Sequence, residues 1–125
     1  SLPIYMTFIF DEVDSGVGGV AAVELGKRLA QLSKHAQVIV VTHLAQVASF
    51  ADVQFAVQKN LVENDDNSEN SSFAKVANTS VIELNDLMRE QEIARMLDGS
   101  ESKTSLEHAR ELLNASRKII DGFTK

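Results

Sequence analysis

Two short apolar runs, each ending in polar side chains, constrain the fold of this chain more than any other feature. Residues 4–10 read IYMTFIF, and residues 38–41 read VIVV. Runs this short, rich in β-branched and aromatic residues, are typical of strands that are buried on both faces of a parallel sheet. Because the first run starts almost at residue 1, we expect the sequence to be a piece of a longer protein.

The residues between these two runs have the apolar spacing of a helix over 19–34. Its apolar stripe recurs at intervals of three and four and consists of Ala22, Leu25, Leu29 and Leu32. Glu24 precedes Arg28 by one turn and predicts a favourable surface pair. A strand, a helix and a second strand at this spacing predict a βαβ unit with a right-handed crossover.

Beyond the second run, the pattern becomes strand-like again over residues 52–60 and 73–84. In the first of these segments Val53, Phe55 and Val57 alternate with other residues. Residues 63–72, ENDDNSENSS, separate the two segments and contain no apolar side chain. We expect this segment to be a mobile hairpin loop.

The C-terminal part of the chain predicts two helices. The first covers residues 86–98 and ends at Asp98 with Gly99 behind it. The second covers residues 105–121, and the sequence TSLE from Thr104 onward predicts a capping box at its start. The apolar stripes of both helices are expected to cover the sheet. The predicted fold class is therefore α/β, with a mainly parallel sheet, flanking helices and a C-terminal helical pair.

Composition limits the classes of function. A length of 125 residues suits one modest domain. The formal net charge of −6 argues against binding of a nucleic-acid backbone by bulk charge. The sequence has no cysteine, which rules out disulfides and thiolate metal sites and fits a reducing cytoplasm. No apolar run reaches the ~18 residues of a membrane helix, so we expect no membrane partner.

The first apolar run ends in two carboxylates, Asp11 and Glu12, and Asp14 and three glycines follow closely. The carboxyl ends of parallel strands are where α/β sheets bind ligands. One acid there can hold a hydrated Mg²⁺ beside a polyphosphate while a second orients or deprotonates a water. Equally, these can be ordinary loop acids, and the strand end alone does not decide between the two interpretations.

The second apolar run ends in Thr42 and His43, at the same predicted edge as the acids. An imidazole at that position can donate a hydrogen bond to a phosphate oxygen. His35 and His108 are interpreted instead as exposed helix residues without a catalytic role. The second strand therefore favours a phosphate-handling site over a set of loop acids.

These motifs resemble the ATP-binding-cassette (ABC) ATPases, and within them the bacterial DNA-repair proteins related to SMC proteins. FIFDEVDSGVGG resembles their Walker B motif and D-loop, and VIVVTHLAQVA resembles their switch-histidine loop. EIARMLDG and SLEHARELL extend the resemblance to about residue 115. It implies that residues 1–125 form the C-terminal part of a P-loop NTPase head of the ABC type. The P-loop motif G-x-x-x-x-G-K-[ST] and the Ser-Gly-Gly signature are absent from the sequence.

The resemblance assigns a role to each candidate residue. Asp11 would approach ATP-bound Mg²⁺ through water, and Glu12 would be the catalytic carboxylate that polarises the attacking water. His43 would contact the γ-phosphate. The whole protein would then hydrolyse ATP in DNA double-strand-break and recombinational repair, in the cytoplasm and associated with the nucleoid.

The D-loop would consist of Asp14, Ser15 and Gly16, and in the family it reaches across to a second head when two heads clamp ATP. The implied partners are a second copy of the same head, as an ATP-dependent homodimer, and DNA bound through the whole protein. Many family members have Leu-Asp where this chain has Val17 and Gly18. We therefore do not expect the usual contact of that Asp across the dimer.

Because a P-loop supplies most phosphate contacts, we expect this chain alone to bind ATP very weakly and to hydrolyse none. Without a ligand the three acids would face water and repel each other, which would leave residues 12–19 mobile. Two alternative functions are a partner-docking module and a receiver-type phosphoacceptor domain. A partner-docking module would use the two C-terminal helices, and a receiver-type phosphoacceptor domain would need a middle strand ending in Asp, which the sequence lacks.

Overall fold

The computed structural model describes residues 6–62 and 75–123. The elements follow in the order β1 (Thr7–Asp11), α1 (Gly19–Leu32), β2 (Gln37–Val41), α2 (Ala45–Ala48), β3 (Phe55–Val62), β4 (Lys75–Glu83), α3 (Asp86–Asp98) and α4 (Lys103–Asp121). Within these two ranges, every helix is too short or too polar to traverse a lipid bilayer. The predicted loop at 63–72 and the start of the first apolar run lie outside the described residues.

Strands β1 and β2 pair in parallel, as the predicted βαβ unit requires. Their register places Thr7 opposite Gln37 and Asp11 opposite Val41. α1 joins the two strands, and its predicted surface pair forms with 3.3 Å between Arg28 Nε and Glu24 Oε1. The parallel pairing matters for function because it brings the ends of both strands to the same edge.

The two strands are not buried on both faces, so this expectation was wrong. One face carries Phe8 and Phe10, which are half-buried and stacked with ring centroids 6.3 Å apart. The opposite face carries Ile9 and Val41, which are 70% and 54% exposed. A two-stranded sheet gathers few neighbours, and within the described residues no element covers that second face. The unbroken apolar sequence therefore indicates that both faces are suited to burial, but it does not identify an element that covers them.

Strands β3 and β4 form a separate antiparallel hairpin, with Phe55 opposite Glu83 and a register shift after Asn60. The two predicted strand segments are confirmed. The expectation of a mainly parallel sheet is not: the described strands form one parallel pair and one antiparallel pair. Phe55 and Val57 are more than half exposed, as antiparallel hairpins allow on their solvent face.

The main core lies between helices rather than against a sheet. Its buried members come from α2, α3 and α4, and they are Ala45, Ala48, Ile93, Ala94 and Ala109. Four of these five side chains are methyl groups, which lets three helices approach closely around Ile93. The predicted stripes of α3 and α4 are thus correct, but they pack on each other and on α2 instead of covering the sheet.

The ends of the two C-terminal helices follow capping rules with one correction. α3 begins after Asn85, whose side chain accepts a hydrogen bond from the Met88 backbone N–H at 2.9 Å, and it ends at Gly99 with φ +71°. α4 begins after Ser102, which caps the Ser105 N–H at 3.1 Å. The capping box expected at Thr104 does not form, because α4 begins two residues earlier than predicted and the Ser102 hydroxyl caps its first turn.

Arg89 on α3 holds the chain around the end of α2. Its guanidinium donates to the backbone oxygens of Ala48, Ser49 and Ala51 at 3.1, 3.3 and 2.7 Å, and to Gln54 Oε1 at 3.1 Å. A cation at a helix C-terminus satisfies carbonyls that have no partner within the helix. Partial burial lowers the pKa of Arg89, and the charge of Arg117 acts in the same direction.

Gly26 allows α1 and α2 to pack closely. A Cβ atom at this position would lie 2.5 Å from Cδ2 of Phe50 and 3.1 Å from the backbone oxygen of Gln46. Gly26 and Lys27 thus belong to a packed helix and not to a phosphate-binding loop. A side chain here must displace the Phe50 ring.

We therefore expect Gly26→Ala to lower the free energy of unfolding by about 1–3 kcal/mol, the usual cost of overpacking. Urea unfolding followed by circular dichroism measures this. Gly19→Ala is the matched control, because nothing lies within 4 Å of a Cβ at Gly19. Equal stability of the two variants would contradict close packing at Gly26.

Candidate functional site

The candidate residues lie along the edge formed by the ends of β1 and β2. Asp11 is the last residue of β1 and pairs with Val41, the last residue of β2. The Glu12 N–H donates to the Val41 oxygen at 3.2 Å, so the pairing continues one step past the strand. Thr42 and His43 follow immediately. The acid pair and the imidazole therefore lie at one edge, as the sequence predicted.

Glu12 turns the chain at this edge. Its φ is +54°, and among the described residues no other non-glycine has a positive φ. A left-handed conformation costs a residue with a Cβ roughly 1–2 kcal/mol. The turn removes the constraint that successive side chains on a strand point to opposite faces. Asp11 and Glu12 are accordingly both exposed.

The segment after Glu12 is built from hydrogen-bonded turns. The Ser15 N–H donates to the Glu12 oxygen at 3.1 Å, and the Val17 N–H donates to the Asp14 oxygen at 3.0 Å. Gly16 has φ +76°, a conformation that glycine adopts without strain. Ser15 and Gly16 face the solvent at the outside of this turn.

Asp14 does not face water, which corrects the expectation that all three acids do. It is 1% exposed, and its Oδ2 accepts a hydrogen bond from the Thr42 hydroxyl. The same hydroxyl accepts a hydrogen bond from the Leu44 N–H at 3.0 Å. Asp14 thus ties the turn after β1 to the residues after β2. The left-handed turn at Glu12 directs the chain inward, and no sequence pattern predicted that conformation.

The three histidines differ in their surroundings. The side chain of His43 is 71% exposed, and its Nδ1 lies 3.9 Å from Asp14 Oδ1. His108 lies on α4, with Nδ1 3.6 Å from Oδ2 of the exposed Asp98. His35 is exposed in the turn after α1 rather than on a helix, which corrects the prediction for that residue. Of the three, only His43 has an exposed ring that lies close to a buried carboxylate.

Within residues 6–62 and 75–123, no group of three or more His, Asp or Glu side chains could hold a metal ion. Mg²⁺ commonly binds through one or two carboxylates together with substrate phosphates and waters. An exposed Asp11 beside an exposed Glu12 suits that mode of binding. These two carboxylates therefore suit magnesium that is carried by a polyphosphate.

Together these features define a mixed α/β protein with an acidic strand end beside a strand end that carries a histidine. The chain matches no protein-family model. It is similar to DNA repair protein RecN of Streptomyces coelicolor, with 51% identity over 112 residues, which is 89% of this chain and 18% of that protein.

Two further relatives agree with this match. RecN of Mycobacterium leprae is 47% identical over 113 residues, which is 90% of this chain and 17% of the relative. RecN of Deinococcus radiodurans is 41% identical over 105 residues, which is 84% of this chain and 17% of the relative. The resemblance carried by the Walker B-like and switch-histidine segments is thus confirmed as a resemblance to RecN. The chain spans less than a fifth of these relatives, consistent with a C-terminal fragment.

The left-handed conformation of Glu12 can be tested by stability. We expect Glu12→Gly to raise the free energy of unfolding by about 0.5–1 kcal/mol relative to Glu12→Gln, since glycine relieves the strain at some entropic cost. Glu12→Gln is the matched control because it removes the charge and keeps the Cβ. Urea midpoints that coincide for the two variants would show that Glu12 is not strained.

Proposed function

We propose that this chain is the C-terminal portion of an SMC-like ATPase head acting in bacterial DNA double-strand-break and recombinational repair. Its part would be to supply the acids and the histidine for ATP hydrolysis between two heads. The observation that carries the proposal is the register of Asp11 with Val41, which brings Glu12 and His43 to one edge. Similarity to proteins named DNA repair protein RecN supports the same function.

Each exposed residue of the edge has a role in the proposal. Asp11 holds ATP-bound Mg²⁺ through water, as a single carboxylate can when phosphates complete the ligands. Glu12 orients the attacking water and accepts its proton. His43 donates a hydrogen bond to the terminal phosphate. The magnesium, when bound with ATP, neutralises charge on the phosphates.

The proposed partner of this edge is a second copy of the head. Ser15 and Gly16 form the exposed outside of the turn, and a Cβ at Gly16 would meet no atom within 4 Å. A backbone this open can approach another surface closely. Asp14 supports the turn from inside, so the contact across the dimer is proposed for Ser15 and Gly16.

The remaining expectations concern the longer protein. DNA is proposed as a partner of the longer protein and not of this segment, whose formal net charge is −6. The proposed location is the cytoplasm, associated with the nucleoid. The alternative of a partner-docking module has less support, because Ile93, Ala94 and Ala109 are fully buried and their helix faces are already occupied.

Glu12→Gln in the longer protein tests the catalytic role. Glutamine keeps the shape and cannot accept a proton, so we expect ATP to bind normally and turnover to fall by about 10²-fold or more. Nucleotide binding and phosphate release are measured in parallel. The control is Glu24→Gln, which alters an exposed pair on α1. Normal turnover of Glu12→Gln would exclude Glu12 from the mechanism.

The isolated 125-residue chain provides a second test. Because it lacks a P-loop motif, we expect calorimetric titration with Mg-ATP to show no micromolar affinity, and we expect no phosphate release. Micromolar affinity would mean that these residues hold the nucleotide without the P-loop. The proposal that a P-loop elsewhere in the longer protein holds the nucleotide, while this chain supplies the acids and the histidine, would then be wrong.

A further inference from the structure

Asp14 has a buried carboxylate oxygen without a partner. Its side chain is fully buried, and its Oδ2 accepts the Thr42 hydroxyl hydrogen bond. Its Oδ1 is the one buried side-chain oxygen or nitrogen in the described part of the chain that makes no hydrogen bond. Leaving a buried charged acceptor unpaired is costly. The arrangement of Asp14 calls for a donor at Oδ1.

The geometry supplies one candidate donor. Nδ1 of His43 lies 3.9 Å from this oxygen, too far for a hydrogen bond but close enough for a small movement to form one. Asp14 itself is fixed by burial and by Thr42. The His43 side chain is 71% exposed, so the imidazole is the group that is free to move.

We propose that Asp14 is a positioning residue for His43 within the same chain. Its Oδ1 accepts a hydrogen bond from Nδ1–H, which sets the direction of the ring and leaves Nε2 for the ligand. In the neutral ring this contact selects the Nδ1–H tautomer. If His43 binds phosphate, as the proposed function requires, its ring then carries both protons and links the buried carboxylate of Asp14 to the phosphate. Paired carboxylate and imidazole groups of this kind orient catalytic histidines in other folds.

This assignment gives Asp14 a role other than contact across a head dimer. Thr42 belongs to the same hydrogen-bond network, since its hydroxyl connects Oδ2 of Asp14 to the Leu44 N–H at the start of α2. Asp14 therefore links the end of β1 to both residues that flank His43.

The test is the tautomer of His43, read from the two ring nitrogen signals in ¹⁵N NMR spectra of the whole 125-residue chain. Spectra are recorded without nucleotide at alkaline pH, where imidazole is neutral. We expect His43 to carry its proton mainly on Nδ1. His35, an exposed ring, should show the Nε2–H tautomer that free histidine favours. A wild-type His43 that carries its proton on Nε2 would overturn the proposal without any variant.

Asp14→Asn then tests the cause. An amide at this position can donate to Nδ1, so we expect the ratio of Nδ1–H to Nε2–H at His43 to fall by about fivefold or more. The matched control is Asp98→Asn, which makes the same chemical change beside the exposed His108. It should leave the His43 signals unchanged. A folded Asp14→Asn protein with an unchanged His43 tautomer would also overturn the proposal.

These outcomes distinguish a failure of the Asp14–His43 pairing from a failure of the ATPase proposal. An Nδ1–H ring in a protein whose Glu12→Gln variant hydrolyses ATP normally would keep the Asp14–His43 pairing and remove the catalytic role of Glu12. An Nε2–H ring, in a protein whose Glu12→Gln variant binds ATP without hydrolysing it, would remove the Asp14–His43 pairing and keep the catalytic role of Glu12.

Discussion

The parallel register of β1 and β2 is the constraint on which the rest of the site depends. Asp11 opposes Val41, and one further hydrogen bond, from the Glu12 N–H to the Val41 oxygen, carries the pairing past the strand ends. A shift of one residue would turn the side chains of one strand to the opposite face. With this register, acids from one strand and a histidine from the next lie along one edge, where α/β sheets bind ligands.

The residues after that edge are held by polar contacts rather than by a large sheet core. Thr42 connects the buried Asp14 to the start of α2, and Arg89 binds the backbone oxygens at the end of α2. The short helix α2 is thereby fixed at both ends, and its alanines join the core formed with α3 and α4. The C-terminal helices thus contribute to the site indirectly, by fixing the segment that follows His43.

The edge also concentrates features that reduce stability. Glu12 adopts a left-handed conformation, Asp14 buries a carboxyl group with one oxygen unpaired, and Ile9 and Val41 remain exposed beside them. Strained conformations and unpaired buried groups are commonly found at functional sites. Their joint occurrence beside His43 supports a binding edge here more strongly than the acidic sequence alone does.

The local elements and the identity of the edge could be predicted from the order of the residues. Periodicity predicted α1 and α3 closely, and Gly99 marked the end of α3, because these depend on neighbouring residues only. Burial did not follow from the sequence: Asp14 was expected in water and Ile9 in a core, and both expectations were wrong. Those environments follow from the folded chain, because they depend on a left-handed turn at Glu12 and on which elements pack together. Such contacts join residues far apart in the chain, and no local pattern encodes them.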